Sequence, residues 1–111
     1  MPIRESEKLG YKIVVKDDIT QGELEDWSSM MIFGAGAPIL RGSALRGAIR
    51  AGLIIEISHP DITALIDITK GSKDPSVIDA GIKRITPVKP LMWFGVKLIE
   101  IYNELTYFDP N

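Results

Sequence analysis

The closing stretch of the chain, Val88 to Phe108, places Leu91, Phe94, Leu98, Ile101, Tyr102 and Leu105 at helical spacing and concentrates most of the bulky apolar mass of the sequence. Recurrence every three or four residues marks one apolar side of an α-helix. Thr86 and Pro87 suit a cap and a first turn, so the spacing predicts a helix from about Pro87 to Leu105. Leu91, Gly95, Leu98 and Tyr102 would share one face, and Phe94, Ile101 and Leu105 an adjoining one, while Trp93, Val96 and Lys97 point elsewhere. A helix this apolar in a chain of 111 residues is either the centre of the core or a surface meant for another chain.

Ahead of it the chain offers further elements. Tyr11 to Lys16 is rich in β-branched and aromatic residues and reads as a short strand, or as an extended arm with the first ten residues flexible. Thr20-Gln21-Gly22-Glu23 is a capping box, and Leu24, Trp27 and Met31 form an apolar stripe behind it, so a helix should run from there to about Phe33. The glycines and proline of Gly34 to Pro38 predict a loop. Ser43 then suits the cap of a second helix with Leu45, Ala48, Ile49 and Leu53 on its apolar face and Gly52 as its stop. Gly47, Ala48, Ala51 and Gly52 make that helix thin, which predicts close packing on a neighbouring helix. Ile54 to Ile57 reads as a strand or the tail of the helix. Asp61 suits the cap of a short helix through Ile68, Lys70 to Pro75 reads as a loop, and Ser76 to Ile85 as another short helix. The fold expected is mainly α: one small helical domain spanning 1–111 with a short N-terminal β-strand or hairpin, and α+β as the alternative.

Charge is uneven. Asp17, Asp18, Glu23, Glu25 and Asp26 crowd one stretch, and no acidic residue follows until Glu56, while Arg41, Arg46 and Arg50 fall in the gap. These are two solvated faces, or groups that pair with each other within one chain or between copies. A net charge of −2 argues against a globally basic nucleic-acid binder. Without cysteine there is no disulfide, thiolate nucleophile or zinc–thiolate site, which fits the cytoplasm. The first residues lack the grading of a signal peptide, and Lys89, Pro90, Lys97 and Glu100 break the most apolar run below the roughly 20 residues that cross a bilayer. No membrane role is expected.

Catalytic constellations are missing. His59 is the single histidine, stands before Pro60 and reads as a surface turn residue without a second ligand or a nucleophile to activate. Adjacent carboxylates such as Asp17 with Asp18, or Glu25 with Asp26, diverge on any regular element and cannot share acid–base work. Gly34-Ala35-Gly36 lacks the lysine and hydroxyl of a phosphate-binding loop. The residues therefore predict no enzyme, no cofactor and no metal.

What remains is contact. Trp93, Phe94, Leu98, Tyr102, Tyr107 and Phe108 are the candidate protein-interaction residues, and Arg41, Arg46, Arg50, Glu23, Glu25 and Asp26 the candidate electrostatic ones. The alternative is a small nucleic-acid-binding regulatory module that sets Arg41, Arg46 and Arg50 against phosphates. The acidic segment Asp18 to Trp27, the Arg41-Gly42-Ser43-Ala44-Leu45-Arg46-Gly47-Ala48-Ile49-Arg50-Ala51-Gly52-Leu53 segment and the closing Trp93-Phe94-Gly95-Val96-Lys97 to Tyr102 to Asp109-Pro110-Asn111 resemble small structural or tail-assembly proteins of tailed bacteriophages and prophages. The resemblance spans residues 17–54 and 86–111, with no counterpart for 55–85. It implies a mostly helical virion component or assembly chaperone in the host cytoplasm or the particle, free of cofactor, holding another phage protein or copies of itself.

Overall fold

The computed structural model describes residues 2–30, 38–59, 74–84 and 88–106. In chain order the elements are strands β1 (Ile3–Ser6) and β2 (Tyr11–Val15), helices α1 (Gln21–Met30) and α2 (Pro38–Ala51), strand β3 (Ile54–Ile57), and helices α3 (Pro75–Lys83) and α4 (Val88–Thr106). The strands form one antiparallel sheet in the order β1-β2-β3. The arrangement is a helix-dominated α+β one, with more sheet than a single hairpin. Part of the expected N-terminal arm is strand, because Ile3 to Ser6 pairs residue by residue with Val14 to Tyr11. Ile54 to Ile57 is strand and not the tail of α2. Gly52 separates the two elements with φ of +70°, a left-handed conformation that ends a helix at little cost only for glycine.

The capping box of α1 forms as its residues require. Glu23 N–H donates to Thr20 Oγ1 at 3.1 Å, and Thr20 N–H donates to Glu23 Oε1 at 2.9 Å. Lys16, which follows β2, donates to both oxygens of the same carboxylate at 3.0 and 2.8 Å, so one side chain starts the helix and ties it to the sheet. Helix α2 starts at Pro38, not at Ser43, because proline in the first turn brings a preset φ and lacks only a donor that would have no helical partner. Ser43 is fully buried inside α2. Asp74 caps α3 through Ser76 N–H at 2.9 Å, with Pro75 at its first position.

The helix α2 lies at the centre, packed on α1, α3 and α4. Its thinness is used at Gly47: a Cβ there would stand 2.3 Å from the backbone oxygen of Trp27 and 2.7 Å from its Cδ1. The Trp27 indole, fully buried, donates from Nε1 to Ala44 O at 3.0 Å and meets the Tyr102 ring edge-on at 5.0 Å. One hydrophobic cluster joins Ile13 and Val15 of the sheet, Trp27, Leu45 and Ala48, Ile78 and Ile82, and Phe94, Leu98 and Ile101. Pro90, Phe94, Leu98 and Ile101 carry the buried line of α4, four and three residues apart. The long terminal helix is thus a principal wall of the core. The segments expected around 31–37, 61–73 and 85–87, together with Tyr107 and Phe108, lie outside the described residues.

Candidate protein-contact surface

The structure divides the predicted contact residues. Phe94 and Leu98 are fully buried within the chain, so they are core residues and not an exposed interaction face. The reason is packing within the chain: α2 lies along α4, and Tyr11 of β2 brings its ring to 5.7 Å from Phe94. Tyr102 is half-buried, with its hydroxyl 2.8 Å from Ser28 Oγ and its ring on Trp27, so it too serves the internal joint between α1 and α4.

Trp93 differs. It is half-buried against the core and belongs to a patch that the sequence did not reveal, made where β2, the end of β3 and α4 meet. Its ring lies 5.5 Å from Tyr11 and 5.1 Å from Phe94, both edge-on, and Lys97 Nζ stands 5.9 Å from its centroid. His59 completes the patch, 5.4 Å from Tyr11 and 6.5 Å from Phe94. The histidine is therefore not a surface turn residue. It is half-buried among aromatic rings, and its Nδ1 is enclosed with no hydrogen-bond partner among the described residues. The signal that could have pointed here was weak, because Tyr11, His59 and Trp93 are joined only by strand pairing and helix packing.

Polar groups frame the rings. A shallow hollow of about 290 Å³ beside Tyr11 is lined by Glu5, Glu7, Lys12 and Ser58 among others. On the other side Lys97 pairs with Glu100 at 3.2 Å. Partly exposed aromatic surface beside polar groups is the anatomy of a protein-contact site. What the arrangement can do chemically is bury rings against another apolar surface.

Glu23 is engaged by Lys16 and Thr20, because Lys16 leaves the sheet beside the first turn of α1. The Lys16 ammonium and the Thr20 amide hold the Glu23 carboxyl below its ordinary value of 4.5. Glu25 accepts from Gln21 Nε2 at 3.4 Å, and Ser29 Oγ donates to the backbone oxygen of Asp26 at 2.8 Å. Arg46 and Arg50 are half-buried with their Nε atoms enclosed, and the side chain of Arg41 lies outside the described residues.

Among the described residues no group of three His, Cys, Asp or Glu side chains is placed to hold a metal, and no helix is long and apolar enough to cross a membrane. No family model, no curated protein and no solved structure matches this chain.

Proposed function

We propose that this protein is a non-enzymatic assembly component that acts by protein–protein contact through the Tyr11, His59 and Trp93 patch, with a second copy of itself as the first partner to test. The observation that carries the reading is the partly exposed Trp93 ring, edge-on to Tyr11 and with Lys97 Nζ 5.9 Å from its centroid. Tryptophan and tyrosine are the side chains that most often dominate binding when a partner excludes water from them. The resemblance to tailed-phage proteins supplies the setting for this reading: a virion or tail-assembly protein in the host cytoplasm or the particle, without a cofactor.

Light scattering at several protein concentrations, with and without added double-stranded DNA, tests it. The reading expects mass to rise with concentration, to fall modestly with salt and to be indifferent to DNA. A monomer at every concentration that binds DNA, loses that binding steeply with salt, and loses it on Arg46→Ala with Arg50→Ala would replace the reading with the nucleic-acid one.

A further inference from the structure

Strand β1 is held to the fold by little apolar contact. Its one apolar side chain, Ile3, is 51% exposed, Glu5 is exposed, and Arg4 and Ser6 are only partly buried. None of the four belongs to the core cluster of the described residues, to which β2 gives Ile13 and Val15 and β3 gives Ile57. What holds β1 is the seam of hydrogen bonds to β2, closed at its far end by the buried Pro2, whose carbonyl accepts from Val15 N–H at 3.0 Å. With Arg4 opposite Ile13, the alternation of an antiparallel ladder directs the N–H groups of Ile13 and Val15 at this seam. The same alternation directs those of Val14 and Lys16 at β3, where Lys16 N–H donates to Leu53 O at 2.9 Å. The two seams of β2 are therefore read by different amides.

One ion pair ties β1 to the helices. Arg4 Nη2 donates to Glu104 Oε2 near the end of α4 at 2.7 Å, and Nη1 of the same guanidinium donates to Ile3 O at 3.1 Å, so a single side chain spans the strand's backbone and α4. The turn that returns β1 to β2 closes on itself. Gly10 N–H donates to Ser6 O at 2.8 Å and Leu9 N–H to Ser6 Oγ at 3.3 Å, with Gly10 at φ of +72°. None of these bonds involves a helix.

We infer that β1 is a strap that lifts from β2 while β2, β3 and the helices stay folded, and that the Arg4–Glu104 pair is the latch that holds it down. Elements that bury little apolar surface open at a lower free energy than the whole molecule unfolds, and β1 is the strand without a core residue. The latch is made of partly exposed charges, so salt loosens it and ionic strength sets how often the strap is up. Lifted, the strap bares the peptide groups of Ile13 and Val15, a sheet edge that the closed molecule keeps paired. The inference does not involve the Trp93 ring and stands whether or not that patch binds.

Native-state hydrogen exchange of the full chain, followed by NMR at low salt, tests it. The Ile13 and Val15 amides should exchange on the order of tenfold or more faster than those of Val14 and Lys16, their neighbours on the same strand. Glu104→Gln, at an exposed position, should speed Ile13 and Val15 by about threefold and leave Val14 and Lys16 unchanged, the scale of one exposed ion pair. Salt at about 1 M should do the same to wild type and add nothing in Glu104→Gln. Exchange of all four amides in step, in wild type, overturns the inference, because the sheet then opens as one unit. So does Glu104→Gln that leaves Ile13 and Val15 unchanged, or that speeds all four alike, since the pair is then no latch of β1.

Discussion

A single added methyl group at Gly47 should be among the most damaging small substitutions available to this protein. Two effects oppose each other there. Alanine in a helix interior is favoured over glycine by about 1 kcal/mol. Against that, the new Cβ would stand 2.3 Å from Trp27 O, 2.7 Å from Trp27 Cδ1 and 3.1 Å from Trp27 C. Two of those three atoms are backbone, so no rotamer change relieves the overlap, and α1 must move away from α2 by about 1 Å to reach an ordinary contact distance. Overpacking of this kind costs about 1 to 3 kcal/mol, and rigid backbone on the other side places Gly47→Ala at the upper end. The net expectation is a loss of about 2 kcal/mol. Gly42, in the same helix, has nothing within 4 Å of its Cβ position, so Gly42→Ala should stabilise by about 0.5 to 1 kcal/mol. Urea unfolding followed by tryptophan fluorescence should therefore separate the two variants by about 3 kcal/mol, or roughly 12 °C in melting temperature at about 4 °C per kcal/mol. Equal stability of the two would refute the close approach of α1 to α2 on which the core is built.

Three further outcomes are expected. Phe94→Ala should lose about 3 to 5 kcal/mol and Trp93→Ala less, about 1 to 2 kcal/mol, in the same assay, since the first ring is fully buried and the second only partly. Because the Glu23 carboxyl is held below its ordinary value, its contribution is present above that value and is lost as pH falls through the lower folded one, so the stability gap between wild type and Glu23→Gln should narrow in acid. Gly52→Ala, at φ of +70°, should destabilise by roughly 1 kcal/mol, with chemical shifts changing at the α2–β3 junction and not in α4.

Those expectations rest on features of unequal visibility. The capping box at Thr20 and Glu23, the glycine stop at Gly52 and the thinness of α2 are local, and each is legible because a few neighbouring residues determine it. Strand β1 is not: Ile3-Arg4-Glu5-Ser6 has one apolar residue, and it is a strand because β2 lies beside it. The role of α4 was ambiguous for a physical reason, since an apolar helix face looks the same whether a sheet of its own chain or another protein covers it. The packing of α4 on α2, with Tyr11 beside Phe94, decides for the core. The patch depends on contacts between Tyr11, His59 and Trp93, separated by tens of residues, and no spacing rule joins them.

The central claim is that Trp93 is a contact residue and not a structural one. Sedimentation velocity of wild type and Trp93→Ala, side by side over the same concentrations and with circular dichroism confirming that both are folded, tests it most directly. The account predicts that wild type associates and that Trp93→Ala sediments as a folded monomer; wild-type association unchanged in Trp93→Ala, or a wild type that stays monomeric throughout, would contradict it.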